Sequence, residues 1–144
     1  LARIREPNLS PAGVRYTRKV TKVWCGFFIG NGAVALFTVL YCRVTPLDEM
    51  QLIRQHNQAA ALSFGGALIG FSLTLASSAW HLNTVEKFLL WGALAMLVQI
   101  VVHVLLSRWV RDLQQALQDN NTAMGLLAGS VQLAVGVLNA GSLS

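Results

Sequence analysis

The sequence predicts an all-α integral membrane protein with four transmembrane helices, built as two parallel two-helix repeats with short interfacial connector helices. Three observations predict this fold: the composition, four long uncharged stretches, and an internal repeat. Of the 144 residues, 54% are hydrophobic and only 12% are charged, whereas about a quarter of the residues of a soluble domain are charged. There is too little charge to cover a water-exposed globule of this size, so lipid is the expected outer solvent.

Four stretches contain no Asp, Glu, Lys or Arg, and each reaches the roughly 20 residues that a helix needs to cross the hydrocarbon core. They are 23–42, 59–80, 88–107 and 122–144. The fourth is rich in Gly and Ala and contains two polar amides, so three spans plus a peripheral helix is the alternative. We expect a fourth span, because small residues favour close packing between membrane helices.

Basic residues determine the expected orientation. Six of the eleven Lys and Arg residues lie in the first 22 positions, and strict alternation of the spans places Lys87 on the same side. The other four would lie on the opposite side: Arg43, Arg54, Arg108 and Arg111. Because cytoplasmic segments carry the excess of Lys and Arg, we expect a multi-pass membrane protein with both termini in the cytoplasm.

Aromatic residues at the span ends fit the same alternation. Trp24, Trp80 and Trp91 would lie at one interface, and Tyr41 and Trp109 at the other. Amphipathic rings are enriched at membrane–water interfaces, so these five residues are interpreted as an aromatic belt.

The two connectors have the pattern of short helices. In "TPLDEMQLIRQHN", Thr45, Pro46 and Asp48 resemble a helix start with Thr45 as the N-cap. Apolar residues then recur every three or four positions, at Leu47, Met50 and Ile53 and, in the second connector, at Trp109, Leu113 and Leu117. This spacing favours helices that lie in the interface plane. The alternative is that each connector simply extends its neighbouring spans into water.

The internal repeat aligns 48–78 with 112–142 without gaps. Identical pairs are Asp48/Asp112, Gln51/Gln115, Asn57/Asn121, Ala59/Ala123, Leu62/Leu126, Gly65/Gly129, Ala76/Ala140 and Ser78/Ser142. The match includes a polar connector and its terminal Asn, which favours a duplication. We therefore expect a basic N-terminal tail (1–22), a first repeat (23–80) and a second repeat (81–144), related by an axis along the membrane normal.

Polar residues within or beside the spans are the candidate functional residues. Asn57 and Asn121 each precede a span, where Asn is a strong N-cap; two helix starts on one face would alternatively form a paired polar site. Gln99 and His103 share one face of the third span. An intramembrane His relays protons or binds a metal in some proteins, but a packing His bonded to Gln132, Asn139 or Asn31 is the favoured interpretation.

Glycine pairs spaced four apart are candidates for helix packing, within one bundle or between subunits. They are Gly26 and Gly30, Gly66 and Gly70, and Gly125 and Gly129.

Signatures of an enzyme are missing from the sequence. It contains no nucleophile–base–carboxylate set, no phosphate-binding Gly-rich loop followed by Lys, and no metal-ligand pair. We therefore expect no catalytic residues, no metal and no cofactor. The basic tail lacks interleaved aromatics, so we expect the lipid bilayer and not nucleic acid as its partner.

The chain resembles the YjfL family of small bacterial inner-membrane proteins, a domain of unknown function. The resemblance is carried by "VTPLDEMQLIRQHNQAAALSFGGALIGFSLTLASSA", "WGALAMLVQIVVHVLL" and "DNNTAMGLLAGSVQLAVGVLNAG". It implies four spans in a bacterial inner membrane and is compatible with an association with envelope-stress proteins. It implies no activity and no catalytic residues.

Two functions are compatible with these features. The favoured one is a non-enzymatic envelope component that assembles as a homo-oligomer or with a membrane-protein partner. The alternative is an oligomeric channel or transporter for ions or small solutes, in which the polar residues line a route.

Overall fold

A computed structural model of the chain describes residues 10–45, 47–81 and 84–142. These residues form six helices and no β-strand: α1 (Pro11–Val44), α2 (Glu49–Arg54), α3 (Gln58–His81), α4 (Val85–Trp109), α5 (Leu113–Gln118) and α6 (Thr122–Gly141). Four of the helices, α1, α3, α4 and α6, are long and apolar enough to cross a membrane. The prediction of an all-α chain with four such helices is confirmed.

The first helix begins much earlier than the first uncharged stretch. The hydroxyl of Ser10 accepts a hydrogen bond from the amide of Gly13 at 3.2 Å, and Pro11 occupies the first helical position, where its missing N–H costs nothing. Four basic residues of the expected tail, Arg15 to Lys22, are therefore helical. The 34 residues of α1 correspond to a helix of about 51 Å, longer than the ~30 Å of hydrocarbon.

The chain divides into two compact units, residues 1–33 and residues 34–144. Within the first unit, Trp24, Phe27 and Phe28 form an exposed aromatic cluster on α1, with ring centroids 5.6 to 6.0 Å apart. The second unit contains the end of α1 and all of α2 to α6.

In the second unit, α3 and α6 form the most extensive contact. Gly125 meets Ala59, Gly129 meets Gly66, and Gly136 meets Gly70. Residue numbers rise together along this contact, so the two helices run parallel. Backbones lie so close because each of these points has at least one residue without a side chain, as close membrane helix pairs require.

The end of α1 and helix α4 run antiparallel to α3. Phe37 stacks on Phe71 with ring centroids 4.5 Å apart, and Tyr41 packs beside Phe64. On α4, Gly92 faces Leu75, while Gln99 faces Gly70. The helices of this unit thus alternate in direction along the chain.

The short helices α2 and α5 occupy the connectors. Asp48 is the N-cap of α2, and its side chain accepts a hydrogen bond from the amide of Gln51 at 3.0 Å. The expectation that Thr45 caps this helix was wrong: its hydroxyl lies instead within hydrogen-bond distance of the main-chain oxygen of Tyr41 and of Oε2 of Glu49. Pro46 lies outside the described residues.

Both short helices end in the same backbone motif. At the end of α2, the main-chain amides of Asn57 and His56 donate to the main-chain oxygens of Leu52 and Ile53, respectively. At the end of α5, the main-chain amides of Asn121 and Asn120 donate in the same way to the main-chain oxygens of Ala116 and Leu117. His56 and Asn120 have positive φ angles of 64° and 57°. This is the hydrogen-bond pattern of a Schellman motif.

Buried leucines attach the connectors to the bundle. Leu47, Leu113 and Leu117 form a buried cluster with Ala59 and Ala128. Burying a leucine side chain contributes about 1.5–3 kcal/mol, so the connectors are part of the packed unit.

Candidate functional site

The two polar junctions that precede α3 and α6 are joined to each other. Asn57 is buried, and its side-chain oxygen caps α3 by accepting from the amide of Ala60 at 2.9 Å. Its side-chain nitrogen donates to the main-chain oxygens of Leu117 and Gln118, at 2.7 and 3.2 Å. One side chain thus starts α3 and also satisfies the carbonyl end of α5.

The second junction returns a hydrogen bond to the first through Asn120. The side-chain oxygen of Asn120 accepts from the amide of Ala59 at 3.1 Å. Asn121 is exposed and caps α6 by accepting from the amide of Met124 at 3.2 Å. The sequence singled out Asn57 and Asn121, but the side chain of the second junction that bonds to the first is that of Asn120, a residue with a positive φ angle.

A second polar cluster lies inside the membrane-spanning bundle. The hydroxyl of Tyr41 lies 2.6 Å from Nδ1 of His103. The side-chain nitrogen of Gln132 donates to the Tyr41 hydroxyl at 2.9 Å and lies 3.1 Å from the same Nδ1. Gln99 donates to the main-chain oxygen of Gln132 at 3.2 Å. We call these four residues the core polar cluster; each is at most 5% exposed.

The core polar cluster draws on three helices. Tyr41 comes from α1, Gln99 and His103 from α4, and Gln132 from α6. Among the partners considered for His103 from sequence, the structure places Gln132 beside it. Such buried polar groups fix the arrangement of the helices, because each loses its partner if a helix rotates.

The core polar cluster leaves two oxygens without hydrogen-bond partners. They are the side-chain oxygens of Gln99 and Gln132, both on residues with no exposed surface. A buried polar atom without a partner is costly, about 1–3 kcal/mol, and its retention in a membrane interior is a feature to be explained.

A line of polar residues leads from the core polar cluster to α2. The Thr45 hydroxyl lies 2.9 Å from the main-chain oxygen of Tyr41 and 2.7 Å from Oε2 of Glu49. Glu49 is only 2% exposed, and its Oε1 has no hydrogen-bond partner. Burial raises the pKa of the Glu49 carboxyl, which the hydrogen bond from Thr45 partly offsets.

Tyr41 and Glu49 were not among the residues singled out from sequence. Tyr41 was interpreted as an interfacial ring, but it is 1% exposed and belongs to the core polar cluster. Glu49 lies outside the four uncharged stretches of the sequence, yet it is buried. The available signal for Tyr41 was its spacing of four from Phe37, which places both residues on one face of a helix.

The remaining sequence candidates lie apart from this cluster. Asn139 lines a cavity of about 40 Å³ near the other end of the bundle, together with Thr74 and Trp91. Its side-chain nitrogen is buried without a partner, and the cavity is large enough for water. Asn31 belongs to the first unit and is exposed, donating to the main-chain oxygen of Phe27 at 2.8 Å.

The candidate packing glycines fall into two groups. A Cβ atom on Gly66, Gly70, Gly125 or Gly129 would collide with backbone or side-chain atoms across the α3–α6 contact. A Cβ atom on Gly26 or Gly30 would meet nothing within 4 Å.

Comparison with known proteins identifies relatives that cover most of the chain. The model of the family described as Domain of Unknown Function (DUF350) matches residues 16–143. The UPF0719 inner membrane protein YjfL of Escherichia coli strain K12 is 34% identical over 118 residues, which are 82% of this chain and 89% of YjfL. YjfL of Escherichia coli O157:H7 matches with the same values. No solved structure matches the chain significantly.

Proposed function

This chain belongs to the DUF350 family of inner-membrane proteins of unknown function, and from that premise we propose that it is a non-enzymatic component that assembles with further copies of itself through α1. The proposal is supported by the surface of α1 in the first unit. In the most apolar 18-residue segment of α1, only 6% of the residues are buried, whereas 50% are buried in the equivalent segment of α3. Most of α1 therefore faces lipid or another protein.

Asn31 is the observation that carries the proposal. It lies near the middle of the first uncharged stretch, where hydrocarbon is the expected surrounding. An Asn side chain offers two donors and one acceptor oxygen, and the contact with Phe27 uses one donor. A polar amide on an exposed membrane helix favours association, with about 1 kcal/mol per interhelical hydrogen bond.

The residues beside Asn31 suit a close helix contact. Gly30 and Gly32 flank it, and a Cβ atom on either would meet nothing within 4 Å. The open backbone on both sides leaves room for a second helix to approach until its polar groups reach Asn31. A second copy of the same helix brings the same amide, so the pair would be self-complementary.

The proposal includes the duplicated architecture. The first residues of α2 and α5 are 64 positions apart (Glu49 and Leu113), and so are those of α3 and α6 (Gln58 and Thr122). The two Schellman motifs have the same offset. These equal offsets support two parallel span–connector–span repeats. The short length of α2 and α5 and their buried leucines support connectors at the membrane interface. The basic residues of α1 support cytoplasmic termini.

Disulfide crosslinking in native membranes tests the assembly. Two chains with one cysteine each are compared. The first carries Phe27→Cys, with Cys25 and Cys42 replaced by Ser, and the second keeps the native Cys25, with only Cys42 replaced by Ser. Phe27 lies one turn before Asn31 on the same face, whereas Cys25 lies about 160° around the helix from Phe27 at nearly the same depth. Both native residues are exposed.

We expect the Phe27→Cys chain to form a disulfide-linked dimer and the Cys25 chain to form little. Adding Asn31→Leu to the Phe27→Cys chain should reduce the dimer about fivefold, which corresponds to ~1 kcal/mol. Equal crosslinking at both positions would indicate random collision. A dimer unaffected by Asn31→Leu would also contradict the proposal.

A further inference from the structure

The cavity beside Asn139 lies where α3, α4 and α6 meet, at the end of the bundle opposite the two junctions. Helix α4 contributes most of its wall, with Trp91, Leu94, Ala95 and Val98. Leu94 is 45% exposed, whereas Ala95 is only 3% exposed, so the cavity extends from the lipid-facing surface of α4 into the bundle. In a membrane, phospholipid is the molecule that meets this surface.

Asn139 places a buried hydrogen-bond donor beside the cavity. Its side-chain nitrogen has no partner, and the other three buried side-chain atoms without partners in the described residues are oxygens. The hydroxyl of Ser142 already donates to the main-chain oxygen of Asn139 at 2.7 Å, and that of Thr74 donates within the α3–α6 contact. Because a buried donor without a partner is costly, this site calls for a ligand that brings an acceptor atom.

The depth of Asn139 and Trp91 indicates which acceptor is at hand. Asn139 lies two residues before Gly141, the end of α6, and Trp91 lies three residues inside the uncharged stretch that begins at Phe88. At 1.5 Å per residue both lie about 3–5 Å from the end of their span, the level that interfacial Trp residues favour. The ester carbonyl groups of a phospholipid join its acyl chains to its headgroup at this boundary, and a carbonyl oxygen accepts hydrogen bonds.

One face of α4 matches the rest of a phospholipid molecule. Its residues are spaced three or four apart and therefore lie above one another: Lys87, Trp91, Leu94 and Val98. Lys87 is exposed one turn nearer the membrane surface than Trp91, where an ammonium group can bind a lipid phosphate, and Glu86 lies about 100° around the helix from it. Val98 lies about 10 Å deeper than Trp91, so the apolar wall continues in the direction of an acyl chain.

We propose that this cavity is a binding site for a single phospholipid. An ester carbonyl oxygen accepts from the side-chain nitrogen of Asn139, the phosphate lies beside Lys87, and the first part of an acyl chain fills the space beside Leu94 and Ala95. A water molecule in the same place would need several polar partners, but the wall that α4 provides is apolar. The site uses no residue of α1, so it is independent of the assembly proposed above.

Fluorescence of Trp91 tests the site in the full chain. Trp24, Trp80 and Trp109 are replaced by Phe, and the chain in detergent micelles is titrated with phosphatidylglycerol whose acyl chains carry bromine, a short-range quencher. We expect quenching that saturates at a single lipid per chain, and native mass spectrometry should detect a single retained phospholipid. Quenching that rises in proportion to the lipid without saturating would overturn the proposal, because it would show random contact with a cavity that is empty or holds water.

The same substitution at two neighbouring positions of α4 provides the control. Ala95 lines the cavity, whereas Ala93 is exposed. Ala95→Leu should fill the cavity and abolish the saturable quenching, and Ala93→Leu should leave it unchanged. Saturable quenching that survives in Ala95→Leu, or that is lost equally in both variants, would contradict a lipid in the cavity.

Two polar substitutions test the assigned contacts, and they keep the proposal falsifiable if Ala95→Leu does not fold. Asn139→Leu removes the donor and should raise the half-saturating lipid concentration about fivefold, the factor that one hydrogen bond is worth. Lys87→Gln should weaken the binding of phosphatidylglycerol but not of brominated diacylglycerol, which has the same esters and no phosphate. An affinity for phosphatidylglycerol that neither substitution changes would refute the site.

Discussion

Replacing Asn57 with Ala should destabilise the bundle far more than an ordinary helix-cap substitution. The change removes the cap of α3, worth about 0.5–2 kcal/mol. It also removes the two hydrogen bonds to the carbonyl oxygens of Leu117 and Gln118, each worth about 0.5–1.5 kcal/mol, although the Leu117 oxygen keeps the amide of Asn120 as a donor. Together these losses amount to about 1.5–5 kcal/mol.

Asn121→Ala is the matched control. Asn121 occupies the equivalent position 64 residues later and caps α6, but it is exposed and makes no bond to the other junction among the described contacts. Its loss should cost only the cap, about 1 kcal/mol. The assay is the free energy of unfolding in mixed detergent micelles, followed by circular dichroism for both variants and the wild type.

The comparison of the two variants decides whether the junctions are joined as described. We expect Asn57→Ala to raise the unfolding equilibrium constant at least tenfold more than Asn121→Ala, since 1.4 kcal/mol is a factor of ten. Equal losses of stability would mean that Asn57 acts only as a cap. A larger loss for Asn121→Ala would refute the reasoning outright.

Two other substitutions have expected effects. Gly66→Ala should lower the free energy of unfolding by about 1–3 kcal/mol, because the added Cβ would collide with the backbone of Gly129. Gly65→Ala is the control: nothing lies within 4 Å of its Cβ position, so this substitution should be neutral or stabilise the protein by up to about 1 kcal/mol. Equal effects of the two substitutions in the same unfolding assay would contradict the α3–α6 contact. Since burial raises the pKa of Glu49 in the folded state, its contribution to stability should be full below its ordinary pKa near 4.5 and be lost as the pH rises through the raised value. Glu49→Gln should remove this loss, so that the wild type and the variant have the same free energy of unfolding at low pH and the wild type becomes the less stable of the two as the pH rises. Parallel plots of unfolding free energy against pH would count against a buried carboxyl.

The positions of the long helices could be predicted from sequence because charge is expensive in hydrocarbon. The predicted stretches 59–80 and 88–107 lie inside α3 and α4, and each observed helix extends only a few residues further. The start of α1 could not be predicted in this way. Nothing in 11–22 opposes a helix, but the hydropathy signal that marks a span is absent there.

The sequence also indicated which polar residues of the spans matter, but not all of their neighbours. Gln99, His103 and Gln132 stood out as polar groups in apolar surroundings. Tyr41 did not, because a ring at the end of a span normally lies at the interface, and only packing against α3 and α4 decides that this one is buried. Asn120 was missed for a similar reason, since its role depends on a positive φ angle that Asn tolerates but does not require.

The most direct test of the account is the sidedness of the helix ends. In a chain without native cysteines, single cysteines are placed at the exposed positions Gln55 and Asp119, near the junctions, and at Glu86 and Ser142, near the opposite ends of the helices. A membrane-impermeant maleimide is then applied to intact spheroplasts and to inverted vesicles. Four crossings predict that positions 55 and 119 react from one side and positions 86 and 142 from the other; reaction of 55 and 119 from opposite sides, or of 119 and 142 from the same side, would contradict it.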